Sequence, residues 1–311
     1  MSLEVERRDP GGDDPWNSAV RAARQRHFFF ERGYLDYHAD RFVDTSLLVL
    51  RKGAPVAALP ASRHGDEVVS HGGLTFGGLL CDASIGVERA VEALGAALAA
   101  WHADGVRTVT VKPVPHIYHL APAEEELFAL HVHGARLRTR HVAQAARAGD
   151  QVPWSQERLR AIRRGREAGL ELGRSDAIEE FEALLREALA RRHGVAPVHT
   201  AAELRLLVAR FPDQIKLYAA TYEGELMAGV LIYETPAVVH AQYIAASERG
   251  HELRAQDALF EHLLRVEFPT KRWFDFGISN ERDGSLNPGL ARNKEGYGAR
   301  SVVYDSYVLR A

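Results

Sequence analysis

The chain repeats one order of elements twice, and this constrains the fold more than any single motif, because a duplicated supersecondary plan limits what each half can become. Residues 45–51 and 54–62 read as β-rich runs around the turn Lys52-Gly53, and residues 216–222 and 226–234 flank Glu223-Gly224 in the same way. Each half therefore opens its sheet with an antiparallel hairpin. After the hairpin the hydrophobic pattern predicts a strand, a helix, a buried strand, a short helix and a closing strand. In the first half these cover residues 68–80, 86–102, 107–114, 123–133 and 135–144, and in the second 238–247, 256–267, 272–279, 288–296 and 299–309. The last junction recurs too, as Gly134-Ala135-Arg136 and Gly298-Ala299-Arg300.

With 311 residues and 46% apolar content the chain has material for two domains with real cores. Loop residues at 150–153, followed by a charged helical stretch at 154–170, place the boundary near residue 150, giving domains 1–150 and 151–311. A strand at 171–174 and helices at 177–193 and 200–211 then lead into the second hairpin. Each half is thus expected to be a mixed, mostly antiparallel sheet flanked by helices, an α/β architecture.

Several function classes are excluded at this level. Residues 1–16 lack the basic-then-apolar pattern of a signal peptide, and the most apolar stretch, 90–101, is interrupted by Glu92, so no membrane span is expected and the protein reads as soluble and cytoplasmic. Cys81 is the only cysteine, which rules out an intrachain disulfide or a multi-thiolate metal site and suits a small core residue. A net charge of −3 argues against DNA binding, which would leave a basic footprint. Arg158, Arg160, Arg163, Arg164 and Arg166 crowd one predicted helix, either as a solvated face or as a site for an acceptor phosphate or tRNA.

The order strand, two helices, antiparallel meander, helix, strand, helix, strand resembles the GNAT acyltransferase fold, and its double use resembles the Fem peptidyltransferase-like branch of that superfamily. The wording agrees in YLDYHADRFVD (34–44), SHGGLTFGG (70–78), KPVPHIYH (112–119) before Glu124-Glu125, and FDFGIS (274–279) followed by Asn287 and Lys294. The resemblance spans residues 15–310 and is closest to amino-sugar N-acyltransferases of surface-polysaccharide pathways. It implies transfer of an acyl group from acyl-coenzyme A, or an acyl carrier protein, to the amine of a nucleotide-linked amino sugar, with acyl-coenzyme A as co-substrate and no tightly bound cofactor. The alternative is a Fem-type ligase dependent on aminoacyl-tRNA, although the long helical arm common in that class has no counterpart here. A third class is a duplicated fold kept as a binding module.

The resemblance also assigns the donor. The fourth and fifth strands of a GNAT domain splay apart around the pantetheine arm, here 238–247 against 272–279, and a glycine-containing basic loop cradles the pyrophosphate with backbone N–H groups. Ala245, Arg249, Gly250, Arg254, Ala255, Gly277, Ser279 and Asn280 are the expected donor-binding residues. Glu252 stands where a small residue is expected and speaks against coenzyme A. In the first half the loop Asp82-Ala83-Ser84-Ile85-Gly86 carries negative charge where phosphate would lie, so the donor is expected on the second domain and acceptor contacts on the first.

Amide formation from a thioester needs a neutral amine, donors for the developing oxyanion and a leaving group that can be protonated. His240, Gln242, Tyr243 and Asp275 are the polar side chains on the splayed strands; strict alternation puts His240 and Gln242 on one face and Tyr243 on the other. Tyr243 is a substrate contact or a packed core tyrosine. Asp275, between Phe274 and Phe276, is a paired structural carboxylate or a base. Many GNAT enzymes carry a tyrosine acid four residues before the closing glycine, but counting back from Gly298 reaches Lys294, which could pair with an acceptor anion. In the first half SHGGLTFGG is either backbone that approaches a ligand closely or a bulged strand with a tight turn. On the first reading His71 is the general base, with Thr75, Phe76, Gly77, His116 and Tyr118 contacting the acceptor. His116 and His119 find no carboxylate or Cys to complete a ligand set, and no metal is expected.

Overall fold

The computed structural model describes residues 3–7, 14–149, 152–195 and 197–311. The chain forms two compact units, Met1–Val142 with Val303–Ala311, and Ala143–Val302. The boundary expected at Asp150 and Gln151 lies outside the described residues. Among the described residues no helix is long and apolar enough to cross a membrane.

The first unit runs β1 (Glu4–Arg7), α1 (Asp14–Ala22), α2 (Arg32–Leu35), β2 (Val43–Asp44), β3 (Leu47–Arg51), β4 (Ala54–Leu59), β5 (Ser62–His64), β6 (Glu67–Val69), β7 (Leu80–Cys81), α3 (Val87–Ala103), β8 (Thr108–Val111), α4 (Glu125–Val132) and β9 (Arg136–Arg147), whose end lies in the second unit. β1, β3, β4 and β7 form one antiparallel sheet, while β2, β5 and β6 continue to β8, which is parallel to β6. α3 places Ala90, Ala93, Leu94, Ala97, Leu98 and Trp101 on one stripe at helical spacing, and this stripe packs on Val49, Leu59, Leu79 and Val109.

The second unit runs α5 (Gln156–Glu167), β10 (Glu171–Ser175), α6 (Ile178–His193), α7 (Ala201–Arg210), β11 (Ile215–Tyr222), β12 (Glu225–Glu234), β13 (Val238–Ala246), α8 (Glu248–Glu252), α9 (Ala255–His262), β14 (Trp273–Ile278), α10 (Pro288–Glu295) and β15 (Arg300–Arg310). The end of β15 belongs to the first unit, where Tyr307 to Arg310 pair with β8. The order β10-β11-β12-β13-β14-β9 is antiparallel except for the parallel pair β13 and β14. Local signals set the helix starts: Ser155 caps α5, Thr200 and Glu203 form a capping box on α7, and Asn287 caps α10 with Pro288 in its first turn.

The repeat survives at the level of backbone angles. Lys52-Gly53 and Glu223-Gly224 both have two positive φ values, 53° and 75° and 53° and 81°, as a two-residue hairpin turn of the favoured twist requires. The two-domain GNAT-like α/β architecture is present. Two expected strands break. Residues 54–62 divide at Pro60, which has no N–H to give a ladder, into β4 and β5. Residues 68–80 divide into β6 and β7, which lie in different sheets and are separated by the glycine-rich segment 70–79.

Candidate active site

β13 and β14 are paired over only three rungs, Val238 with Trp273, Val239 with Phe274, and His240 with Asp275. Beyond that point they diverge. The cause is local to β14: Gly277 has φ of 75°, which a side chain would strain, and its N–H donates to Asp275 Oδ1 at 2.8 Å. Lys294 on α10 then donates from Nζ to Gly277 O at 2.7 Å and Ile278 O at 2.6 Å. The ammonium is buried, burial lowers its pKa to about 8 against the opposing charge of Asp275, and it locks the kink that opens the sheet. Lys294 is therefore no solvated point charge.

β13 contains a bulge: Tyr243 faces Leu231 while Ala241 faces Ile232, so Gln242 has no opposite residue on β12. Val239 and Ala241, then Ile244 and Ala246, pack in the core that includes Leu259 and Phe260 of α9. The step from Ala241 to Ile244 spans three residues instead of two. The expected alternation is corrected accordingly: His240 and Tyr243 share the other face, the one on which α6 packs. On that face His240 Nδ1 lies 2.9 Å from Asp275 Oδ2, with Asp275 fully buried, and Tyr243 Oη lies 2.5 Å from Nδ1 of buried His199. Asp275 is thus a paired carboxylate. His199 and the role of His240 carry no local signature in the sequence, since their partners are 44 and 35 residues away.

Outside the carboxyl ends of β13 and β14 lies a cleft of about 880 Å³, the usual place for a ligand in an α/β sheet. Gly250 and Arg254 line it, as do Asn280, Asn287 and Asn293, and from α5 Arg158, Arg160 and Arg164. Gly250 has no room for a side chain, since a Cβ would come within 2.0 Å of Met227 O. The five arginines of α5 are sorted by α9. Arg158 pairs with Asp257 and lies 4.2 Å over the Tyr297 ring, and Arg166 pairs with Glu261 at 2.6 Å. Arg160, Arg164 and Arg254 are exposed and make no ion pair among the described residues.

The other expected donor residues scatter. Ala255 is the buried first residue of α9, and Ala245 is buried on β13. Arg249 is used elsewhere, donating to Glu223 at 2.9 Å and lying 4.7 Å over Tyr222, and it does not line the cleft. Ser279 is buried and donates to Gln144 at 2.5 Å. Asn280 lines the cleft and donates to Gly284 O at 2.8 Å. Glu252 is exposed and absent from the cleft wall, which removes the objection its charge raised.

In the first unit β6 and β8 are the counterparts of β13 and β14, parallel over three rungs, and here the gap beyond them is filled by the unit's own chain. Ser70 Oγ accepts from Lys112 N at 2.8 Å, Gly77 N donates to Lys112 O at 2.7 Å, and half-buried Lys112 donates from Nζ to His71 O at 2.9 Å and to Leu74 O. The glycines serve this closure: a Cβ on Gly77 would come within 2.5 Å of Ser70 O and one on Gly78 within 2.3 Å of the Glu126 carboxylate. His71 is buried with φ of 55°, its ring 5.3 Å from Phe42. Phe76 and Tyr118 are core residues with ring centroids 4.7 Å apart, in a cluster with His27 and Phe29. Buried Gly77 and these two rings present no open surface; Thr75 and His116 are exposed. The close backbone approach that SHGGLTFGG permits is made to the protein itself.

Lys294→Met keeps the length of the side chain and removes the donor to two carbonyls. It is expected to cost about 2 kcal/mol of stability and to lower turnover by roughly tenfold through the loosened kink. The loss should be the same at low salt and at about 0.5 M, because a buried ammonium bonded to backbone is not screened as a surface charge is; a loss that fades with salt would return Lys294 to the role of a surface anion contact.

Residues 156–283 match the family described as an acetyltransferase (GNAT) domain. No curated protein matches the sequence. Among solved structures the chain is similar to FemX, with a TM-score of 0.70 and 11% identity over 96% of each chain. It is also similar to a tandem GNAT protein from the clavulanic acid biosynthesis pathway, with a TM-score of 0.56 and 15% identity over 99% of this chain and 98% of that one. A third is the C-terminal domain of a putative lysylphosphatidylglycerol synthetase from Agrobacterium fabrum, at 0.57 and 11% over 81% of each chain. At such identities the likeness is one of fold. The second unit carries a GNAT acetyltransferase domain, the two units have the fold of FemX and the tandem GNAT proteins, and the chain is an acyltransferase.

Proposed function

We propose that the chain forms an amide bond, moving an acyl group from acyl-coenzyme A, or an acyl carrier protein, to the amine of a nucleotide-linked amino sugar in surface-glycan biosynthesis in the cytoplasm. The observation that carries the donor half of this reading is the opening between β13 and β14, which leads to a cleft at the start of α9 lined by four arginines and by Glu157, Asp257 and Glu281. The diverging strands leave backbone groups for the amides of a pantetheine arm. The N–H groups at the start of α9, with Arg160, Arg164 and Arg254, suit a diphosphate. At about 880 Å³ the cleft is of a size for a nucleotide-bearing ligand. The first unit, with its equivalent gap closed, takes no donor and is left for acceptor contacts, of which Thr75 and His116 remain the exposed candidates. The amino sugar itself rests on the resemblance of the sequence motifs.

A second reading is favoured by the likeness to FemX over nearly the whole chain. In a Fem-type ligase the same arginines would hold the terminal phosphates of aminoacyl-tRNA. Thiol release with acyl-coenzyme A donors against a panel of nucleotide-linked amino sugars, run beside transfer from charged tRNA, separates the two. The first reading expects thiol release, and calorimetry should give one coenzyme A per chain. Turnover with charged tRNA alone would replace it, and two donors per chain would refute closure of the first unit.

A further inference from the structure

The bulge in β13 turns two separate side-chain pairs toward one face of one strand, at the mouth of the opening beside β14. His240 points its Nδ1 at buried Asp275 on the facing rung, and Tyr243 points its hydroxyl at buried His199. Asp275 accepts from Gly277 N through Oδ1, so its other oxygen is held for His240. A neutral imidazole that gives its Nδ1 proton to a carboxylate carries its lone pair on Nε2. A phenol that accepts from a histidine Nδ1–H keeps its own proton free for another acceptor, and the same hydrogen bond steadies the phenolate left behind.

We propose that these pairs are the acid and base of the transfer: His240 the base, positioned by Asp275, and Tyr243 the acid, positioned by His199. The inference rests on the acyl-transfer reading and names the groups that carry its protons. The acceptor nitrogen attacks the thioester carbonyl carbon, the C–N bond forms, and the nitrogen's surplus proton passes to His240 Nε2. The C–S bond breaks, and the departing sulfur takes the Tyr243 proton and leaves as thiol. The imidazolium and phenolate then regain their resting states by exchange with solvent, so neither oxidant nor further reactant is needed.

The two roles separate by experiment on the full-length protein. His240→Ala is expected to lower kcat by roughly 10²-fold or more with little change in donor KM, and added imidazole should restore part of the loss, which a merely structural histidine would not allow. Asp275→Asn presents an amide to Nδ1 and should lower kcat similarly. Tyr243→Phe should lower kcat by roughly 10²-fold with an alkyl thioester and by far less with an aryl thioester, whose thiolate leaves unprotonated. His199→Ala should add little to Tyr243→Phe if it acts through that hydroxyl. Turnover by the wild type reports on the acyl-transfer reading and the ratio of variant to wild type on this inference, so each fails separately. A His240→Ala protein within about threefold of wild type, or one that imidazole leaves unchanged, overturns the base; equal losses for Tyr243→Phe with both leaving groups overturn the acid.

Discussion

Replacing Arg160, Arg164 and Arg254 together by alanine is expected to raise the KM for a phosphate-bearing donor by about two orders of magnitude while leaving kcat within a few-fold. All three line the cleft, all are exposed, and none makes an ion pair among the described residues, so their removal leaves the fold intact. A charge-assisted hydrogen bond to phosphate contributes about 1.5–3 kcal/mol when desolvated, and exposure reduces this to nearer 1 kcal/mol each. The combined effect is then about a hundredfold, and it should shrink as salt is raised. Arg249 supplies the contrast. It is bound to Glu223 and stacked on Tyr222, so Arg249→Ala should leave the donor KM within about twofold. An unchanged KM in the triple variant would move the donor out of the cleft.

The second large effect is on stability and lies far from the chemistry. Glu126 on α4 is buried in the first unit, where its carboxyl accepts from Leu79 N at 2.6 Å. Burial raises its pKa from the ordinary 4.5 to about 7, the backbone hydrogen bond opposing. The folded chain keeps the proton up to about pH 7, whereas the unfolded chain releases it near 4.5. The proton-linked stability is therefore present below pH 4.5, falls as pH rises toward 7, and stays lost above it. The loss is about 3 kcal/mol at 1.36 kcal/mol per unit. Glu126→Gln keeps an acceptor for Leu79 N and carries no charge. Relative to wild type it should gain that amount between about pH 4.5 and pH 8, visible as a rise of several degrees in the Tm of the first unit. A difference between the two proteins that does not change with pH would mean that Glu126 is ionised in the folded chain.

The chain's repeat and the identity of its elements were legible because they rest on local physics. Turns such as Lys52-Gly53 and Glu223-Gly224 announce themselves through residues that tolerate positive φ, and Ser155, Thr200 and Asn287 mark helix starts with side chains that reach only three residues ahead. The periods of α3 and of the β11–β12 hairpin follow from burying one face. From these the α/β class and the doubled order of elements could be read in the sequence, while the GNAT-like plan and the choice of β13 and β14 as splayed strands came from the resemblance of that order and of the motifs. Tertiary structure decided what the functional side chains touch. A one-residue bulge at Gln242 reversed the face of Tyr243, and no local preference in that stretch announced it, because a bulge is settled by the register of β12 against the α9 core. His199 reaches Tyr243, and His240 reaches Asp275, only once sheet and helices are assembled. The same glycine-rich wording that permits contact with a ligand permits contact with Lys112, and the packing of the first unit chose the latter. Propensity and period act over a few residues, whereas a buried polar group takes whichever partner the assembled fold brings within hydrogen-bonding distance.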